Sequence, residues 1–457
     1  MFYLTNLLST KYCCVFIHLK IRKQVAVWRF PEYAWMMTSP EPSKIKVVFL
    51  VFYYEAWDSL AGIHDLMVSN SEFEVTVISI PRRFSLEAGF GEESEVSSYF
   101  DRHGVKHLRF NYEDSFEGLA KIKELNPHYV FINYPWQRNY QPGYRVEQLS
   151  EFAKVCYVPY YSAPLVVERD HEGVAPHLYT QRSHQLASLI FTQDKHVHLA
   201  YAETARGNEH VYLTGTPKID ALVNKVSHGD KSWPLANPGN FKMIWAPHHS
   251  YSPAWLNFGN FAAMFQDMLT FAQANPTVDV LLRPHPLMFR TLVDREVIPV
   301  AVLEGWLEQW NALPNTAIDA DDDVALLFGA ADLMITDGIS FLAEYPLATN
   351  KPGIFFENAG HWVLSELGEL AASANMRVSN FVEFEAAFRD VQINGLPDFS
   401  KQIAALRTVA QPYPGDAAKL IVNIVKNDYL AETPLVDKSL VTEIAWENQP
   451  GTEAAWD

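Results

Sequence analysis

Cysteine is scarce: the 457-residue chain has three, Cys13, Cys14 and Cys156. Two are adjacent and none sits in a CxxC, so neither a disulfide framework nor a thiolate metal site is expected, and a reduced, cytoplasmic setting is the default. Long apolar runs are missing too. Nothing reaches the ~18 residues of a membrane-crossing helix. Basic charge is in deficit, with 36 Lys and Arg against 54 Asp and Glu and a net charge of −18. That argues against nucleic acid as a partner, while leaving room for a local phosphate cleft. No GxGxxG follows the first strand, which removes the dinucleotide fingerprint. No HExxH is present, and His171, His177 and His184 lack ligand spacing, so no metal and no cofactor is expected. No repeat of 20–50 residues is visible.

What is present alternates. Lys46 to Tyr53 is a near-continuous apolar run, Glu55 to Ser69 has helical spacing, and Glu74 to Ile80 is a second strand ended by Pro81. Such β-α-β order predicts an α/β protein with doubly wound parallel sheets. The pattern continues through the strand ending at Ile132, with its aromatic loop Asn133 to Tyr144, and through Val155 to Tyr161 and Val211 to Leu213. Residues 229–240 are polar and hold Gly229, Pro234, Pro238 and Gly239, which marks a linker. The expected organisation is an arm at 1–43, a first domain at 44–228, the linker at 229–240, a second domain at 241–430 and an acidic tail at 431–457. The arm is basic and aromatic. It reads as a disordered segment or as sequence ahead of a true start at Met36 or Met37, with an interfacial membrane anchor as the third reading.

The chemistry gathers in the second half. Lys242 to Trp245 leads into Ala246-Pro247-His248-His249-Ser250. Val278 to Leu282 leads into Arg283-Pro284-His285-Pro286. Leu333 to Ile335 leads into Thr336-Asp337-Gly338-Ile339-Ser340, with Asp321 or Asp322 expected to cap the helix before that strand. In one doubly wound sheet, three such strand ends converge on one rim. A guanidinium (Arg283), imidazoles (His248, His249, His285), hydroxyls (Thr336, Ser340) and a helix N-terminus suit a diphosphate. Glu344, one to two turns into that helix, is placed to accept from ribose hydroxyls. Thr336, Asp337 and Ser340 also have a plainer reading as helix caps.

Taken with Gly215-Thr216-Pro217-Lys218-Ile219-Asp220, these motifs form an ordered set that resembles the CDP-glycerol glycerophosphotransferases, the teichoic-acid polymerase and primase type. Trp245-Ala246-Pro247 matches that family's Y-A-P, Arg283-Pro284-His285 its R-x-H, and Thr336-Asp337-Gly338-Ile339-Ser340 with Glu344 its T-D-Y-S-S-x-x-x-D. The resemblance implies two Rossmann-like domains facing a cleft, in the GT-B manner, and transfer of glycerol phosphate from CDP-glycerol to a hydroxyl acceptor with release of CMP. It gives His285 and Arg283 catalytic roles, and Thr336, Asp337, Ser340, Glu344, His248 and Pro217 roles in substrate binding. It also implies a cytoplasmic enzyme of cell-surface polymer synthesis, meeting a lipid-linked glycan acceptor at the inner membrane face. One departure stands out. The family's W-H-G-T-P, whose histidine is the candidate base, corresponds here to Tyr157-Val158-Pro159-Tyr160-Tyr161. The alternatives are a nucleotide-sugar glycosyltransferase or epimerase of the same fold, or a non-catalytic nucleotide-binding scaffold.

Overall fold

The first apolar run forms β1 (Ile45–Val51), buried along almost its whole length. Burial of both faces is what a central parallel strand requires, and it explains the absence of polar alternation. Beside it lie β2 (Phe73–Ser79), β3 (His107–Arg109), β4 (Tyr129–Ile132), β5 (Lys154–Tyr157), β6 (Leu189–Thr192) and β7 (Val211–Leu213). All pair in parallel, in the order β3-β2-β1-β4-β5-β6-β7. A second parallel sheet holds β8 (Phe241–Ala246), β9 (Val278–Leu282), β10 (Thr316–Ile318), β11 (Leu333–Thr336), β12 (Ile354–Phe356) and β13 (Met376–Val378). Its order is β10-β9-β8-β11-β12-β13. The structure is a computed structural model that describes residues 43–83, 89–167, 179–229, 232–253, 256–319 and 324–438. The expectations for the first 42 residues, His171, His177, the caps Asp321 and Asp322, and the tail beyond 438 fall outside those residues.

Each sheet is covered on both faces, as its unbroken apolar strands demand. Met243, Trp245, Val280 and Leu282 pack under the helices Phe261–Ala274 and Val300–Ala312, where Trp306 and Trp310 stack at 4.9 Å. In the first sheet, Val47, Phe49 and Val51 meet the helix Asp58–Val68 and the last helix, Ala417–Leu430, through Ile421, Val422 and Val425. The chain thus returns, after the second sheet, to the sheet that holds β1.

The Gly215-to-Asp220 motif anchors that return. Gly215 sits at φ +77°, a conformation glycine adopts without penalty, and a Cβ there would face Pro412 at 3.6 Å. Pro217 opens the helix Pro217–His228, where its missing N–H costs nothing. The Asp220 carboxylate accepts from Gln411 at 3.3 Å and from the backbone N–H of Ala417 at 3.2 Å. Among the described residues, no helix is long and apolar enough to cross a membrane.

Candidate active site at the rim of the second sheet

β8 and β11 are neighbours, and their chains leave toward opposite flanks of the sheet. The carboxyl edge between such strands is the usual crevice for a ligand in an open α/β sheet. The three loops anticipated from the sequence do meet there. The His248 and His285 rings lie 5.4 Å apart, His249 stacks on His285 at 4.0 Å, and a Cβ on Gly338 would touch His248 at 3.2 Å.

Asp337 holds this meeting together. Its carboxylate is 3% exposed and accepts from the backbone N–H of His248 and of Asn260, each at 2.5 Å. One side chain thereby ties the end of β11 to the loop after β8 and to the start of helix Phe261–Ala274. Burial pushes its carboxyl up to about 7, against the backbone N–H donors that pull it down. Thr336, also buried, donates to the carbonyl of Ala246 at 2.9 Å and accepts from Gly338 N–H at 3.0 Å. Helix Ile339–Thr349 begins at Gly338 with no side-chain cap, so Thr336 and Asp337 brace the loop rather than cap the helix. Ser340 stands exposed in the first turn of that helix.

The three histidines offer ring nitrogens within 4.8 Å of one another, a grouping that could suggest a metal. Their hydrogen bonds point elsewhere. The Leu287 backbone N–H donates to His285 Nδ1 at 3.1 Å, and the Ser250 backbone N–H donates to His248 Nδ1 at 3.3 Å. A nitrogen that accepts carries a lone pair, so in both neutral rings the proton sits on Nε2. A metal at Nε2 would need the opposite tautomer. The pair is set to donate, and a donating pair suits an anion. Burial, followed by the neighbouring histidines, holds His248 and His285 well below the usual imidazole range. Burial, followed by Arg295, lowers His249 to about 4. Arg295, exposed just past helix Met288–Asp294, is a cation beside the cluster that the motifs did not reveal.

Arg283 follows β9 on the same rim. Its guanidinium forms an ion pair with Asp319, after β10, and so is engaged at the flank of the histidines. Pro217 is buried at the start of its helix, next to Lys218, which pairs with Glu344. Glu344 is 1% exposed, pairs with Lys218 at 2.9 Å and accepts from the Ser162 hydroxyl. It therefore joins the second sheet's helix to two segments that follow strands of the first. Replacing Glu344 with alanine is expected to cost about 2 kcal/mol in urea unfolding, less than the ~3–5 kcal/mol of a fully buried pair because Lys218 keeps 23% of its side chain exposed. Unchanged stability would mean that this contact is not made in solution.

Facing elements of the first sheet's rim are aromatic. Tyr53 follows β1, Tyr134 and Trp136 follow β4, and Tyr160 and Tyr161 follow β5. Their rings form a connected set: Tyr53 to Tyr134 5.1 Å, Tyr53 to Tyr160 5.2 Å, Tyr134 to Tyr160 5.1 Å, Tyr134 to Trp136 5.2 Å, and Tyr160 to Tyr161 5.4 Å. Ser162 comes next in the chain. Beyond it Val166 pairs with Leu364, and Ser365 donates to the Pro164 carbonyl at 2.8 Å, so this strand-end loop crosses to the second half. His184, the described member of the first-half histidines, is a core residue packed on Tyr157 at 4.9 Å. A recess at the opposite, amino edge of the first sheet is a structural feature. Its Lys154 and Tyr129 already bond Asp428, each at 2.6 Å.

No protein-family model and no curated protein matches the sequence. Solved structures do match in fold. A UDP-N-acetylglucosamine 2-epimerase aligns with a TM-score of 0.57 at 14% identity, over 86% of this chain and 98% of its own. The UDP-GlcNAc 2-epimerase of Neisseria meningitidis, bound to UDP-GlcNAc, aligns at 0.54 and 12% identity, over 84% of this chain and 100% of its own. The wall teichoic acid polymerase TagF aligns at 0.53 and 13% identity, over 85% of this chain and 90% of its own. The likeness drawn from the motifs thus has a counterpart in the fold of TagF, and the two-sheet parallel α/β architecture is GT-B-like.

Proposed function

We propose that the protein is a nucleotide-diphosphate-dependent enzyme of cell-surface glycan or polymer synthesis, with CDP-glycerol as donor and glycerol phosphate as the group moved. The observation that carries this reading is the paired Nε2–H tautomer of His248 and His285 at the crevice beside the N-terminus of helix Ile339–Thr349. Two neutral donors and a helix N-terminus stabilise charge on phosphate oxygens as it develops, which is most of what phosphoryl transfer asks of a protein. In this reading the acceptor oxygen attacks the β-phosphorus, and the bond from that phosphorus to the bridging oxygen breaks, so CMP leaves. Arg295 supplies positive charge at the flank, and Ser340 a hydroxyl in the first helical turn. Thr336 and Asp337 act indirectly, by holding the loops in register. Soaking of TagF with CDPG supports the choice of donor by analogy of fold.

A second reading, a UDP-sugar epimerase, is favoured by the nearly full-length alignment with such enzymes. A thermal-shift panel separates the two. Ligand at 100 times Kd stabilises the native state by about 2.7 kcal/mol. Cytidine diphosphates shifting the melting temperature alone supports the transferase. A shift with uridine compounds alone supports the epimerase, and no shift with any nucleotide overturns both.

The pH dependence has a definite sign. A diphosphate favours the charged imidazolium, whereas the empty site disfavours it. Binding therefore takes up protons, and CDP-glycerol, whose diphosphate stays ionised throughout, should bind more tightly as pH falls from 7 to 5.5. Affinity that is flat over that interval, measured by calorimetry, would show that the rings stay neutral when the diphosphate binds.

A further inference from the structure

The rim of the first sheet carries a feature that the motifs leave without a role. Strand order changes direction between β1 and β4, so a second switch-point crevice opens at their carboxyl ends. Tyr53 stands on one side of it, Tyr134 and Trp136 on the other, and Tyr160 and Tyr161 extend the wall across β5. Burial raises the phenol pKa of Tyr53, Tyr134, Tyr160 and Tyr161 far above the usual value, yet each of these four residues keeps part of its surface open to solvent, while Trp136 is buried. Aromatic residues that are deep and still partly exposed, at a strand-end crevice, line a cleft rather than fill a core. The wall also leads directly to the donor half, because Ser162, next after Tyr161, bonds Glu344 on the helix that begins at Gly338.

We propose that these five aromatic residues form the acceptor subsite, and that the acceptor presents a neutral sugar ring. This rests on the transferase reading above and names the acceptor class it leaves open. A pyranose has a flat face of C–H groups that packs on an aromatic face, while its hydroxyls stay toward water or toward the phenolic oxygens. A bare polyol-phosphate chain has no such face. Its repeated negative charge would also meet a protein of net charge −18. Two of the five, Tyr160 and Tyr161, stand in the segment where the resembling family carries a histidine, so in this chain that segment recognises the acceptor by shape.

The test is saturation-transfer NMR on the full chain, with methyl β-D-glucopyranoside, its N-acetylamino analogue, glycerol 1-phosphate and octyl β-D-glucopyranoside below its micelle concentration. Transfer to the ring C–H protons of the glycosides is expected. Tyr160→Leu, which keeps apolar bulk but loses the flat face, should weaken that transfer at least tenfold, and Tyr160→Phe should retain it. Melting temperatures report that both variants fold. If Tyr160→Leu unfolds, Tyr53→Leu gives the same reading from the opposite wall. No transfer to any glycoside, equal transfer in the leucine variants, transfer to glycerol 1-phosphate alone, or transfer confined to the octyl chain would each overturn the proposal, the last by making the wall a lipid groove. Glycoside binding together with a silent nucleotide panel would leave the subsite standing and remove the nucleotide reading instead.

Discussion

Replacing His285 with alanine is expected to lower turnover of the nucleotide donor by two to three orders of magnitude, while the fold survives. The magnitude is that of losing one donor aimed at developing negative charge, about 3–4 kcal/mol of transition-state stabilisation. The fold should survive because the ring is partly exposed, and the bond it loses, from Leu287 N–H to Nδ1, lies at a loop where water can replace it. His248→Ala should show a similar but smaller loss. Its ring also receives the Ser250 N–H, and Ser250 in turn accepts from Phe258 N–H at 2.9 Å, so part of the effect would be loop disorder. Steady-state kinetics with CDP-glycerol, alongside melting curves, separates the two. Turnover within threefold of the parent in His285→Ala would end the assignment of His285 to the chemistry.

The largest effect on stability is expected at Asp337. Substitution by alanine leaves two buried backbone N–H groups, those of His248 and Asn260, without an acceptor. At ~1–3 kcal/mol for each orphaned donor, the loss is roughly 2–6 kcal/mol, a large fraction of what holds a domain together. Asparagine keeps one acceptor oxygen and turns an NH2 toward the other donor, so it should fall between the two. The pH dependence identifies the group. Its folded carboxyl lies near 7, above the unfolded value of 3.8, so its contribution is fully present below about 4 and is lost as pH rises through 7. The depressed histidines act in the opposite sense, adding stability as pH rises to about 6.5. The parent should therefore lose stability most clearly between pH 6.5 and 8, and Asp337→Asn should be flat there. Parallel profiles for the two proteins would show that the carboxyl does not titrate in that range.

Much of the site was legible because strand ends carry their chemistry in a few adjacent residues. Ala246 to Ser250, Arg283 to Pro286 and Thr336 to Ser340 each follow a buried apolar run, and the topology gathers them. What those residues do there was less legible. Thr336 and Asp337 carry the residue types of an N-cap, yet they bond across the sheet, to partners some ninety and eighty residues away in sequence. Arg283 has the chemistry of a phosphate clamp, but Asp319 lies within its reach, and that pairing depends on β10 adding beside β9. β10 and β13 have three residues each, too few to display a period, so neither is legible in the sequence. Helices Met288–Asp294 and Glu366–Ser373, the first with Arg295 at its end, are also short and hard to read from sequence. The aromatic wall was visible as residues but not as a surface, since five rings on three strand ends acquire meaning only when β1, β4 and β5 lie side by side.

The return of helix Ala417–Leu430 to the first sheet sets an order of events during synthesis. Ile421, Val422 and Val425 complete one face of the core around β1, yet they leave the ribosome only after the whole of the second sheet. At ~5–20 residues per second, the first half waits on the order of 10–40 s for its final layer, while the second half is still being made. During that interval the apolar side of helix Asp58–Val68 is uncovered, and a chaperone that shields it would have a window defined by chain length rather than by sequence. The first sheet is closed by a helix made after the second, as a strap is drawn over a box already filled.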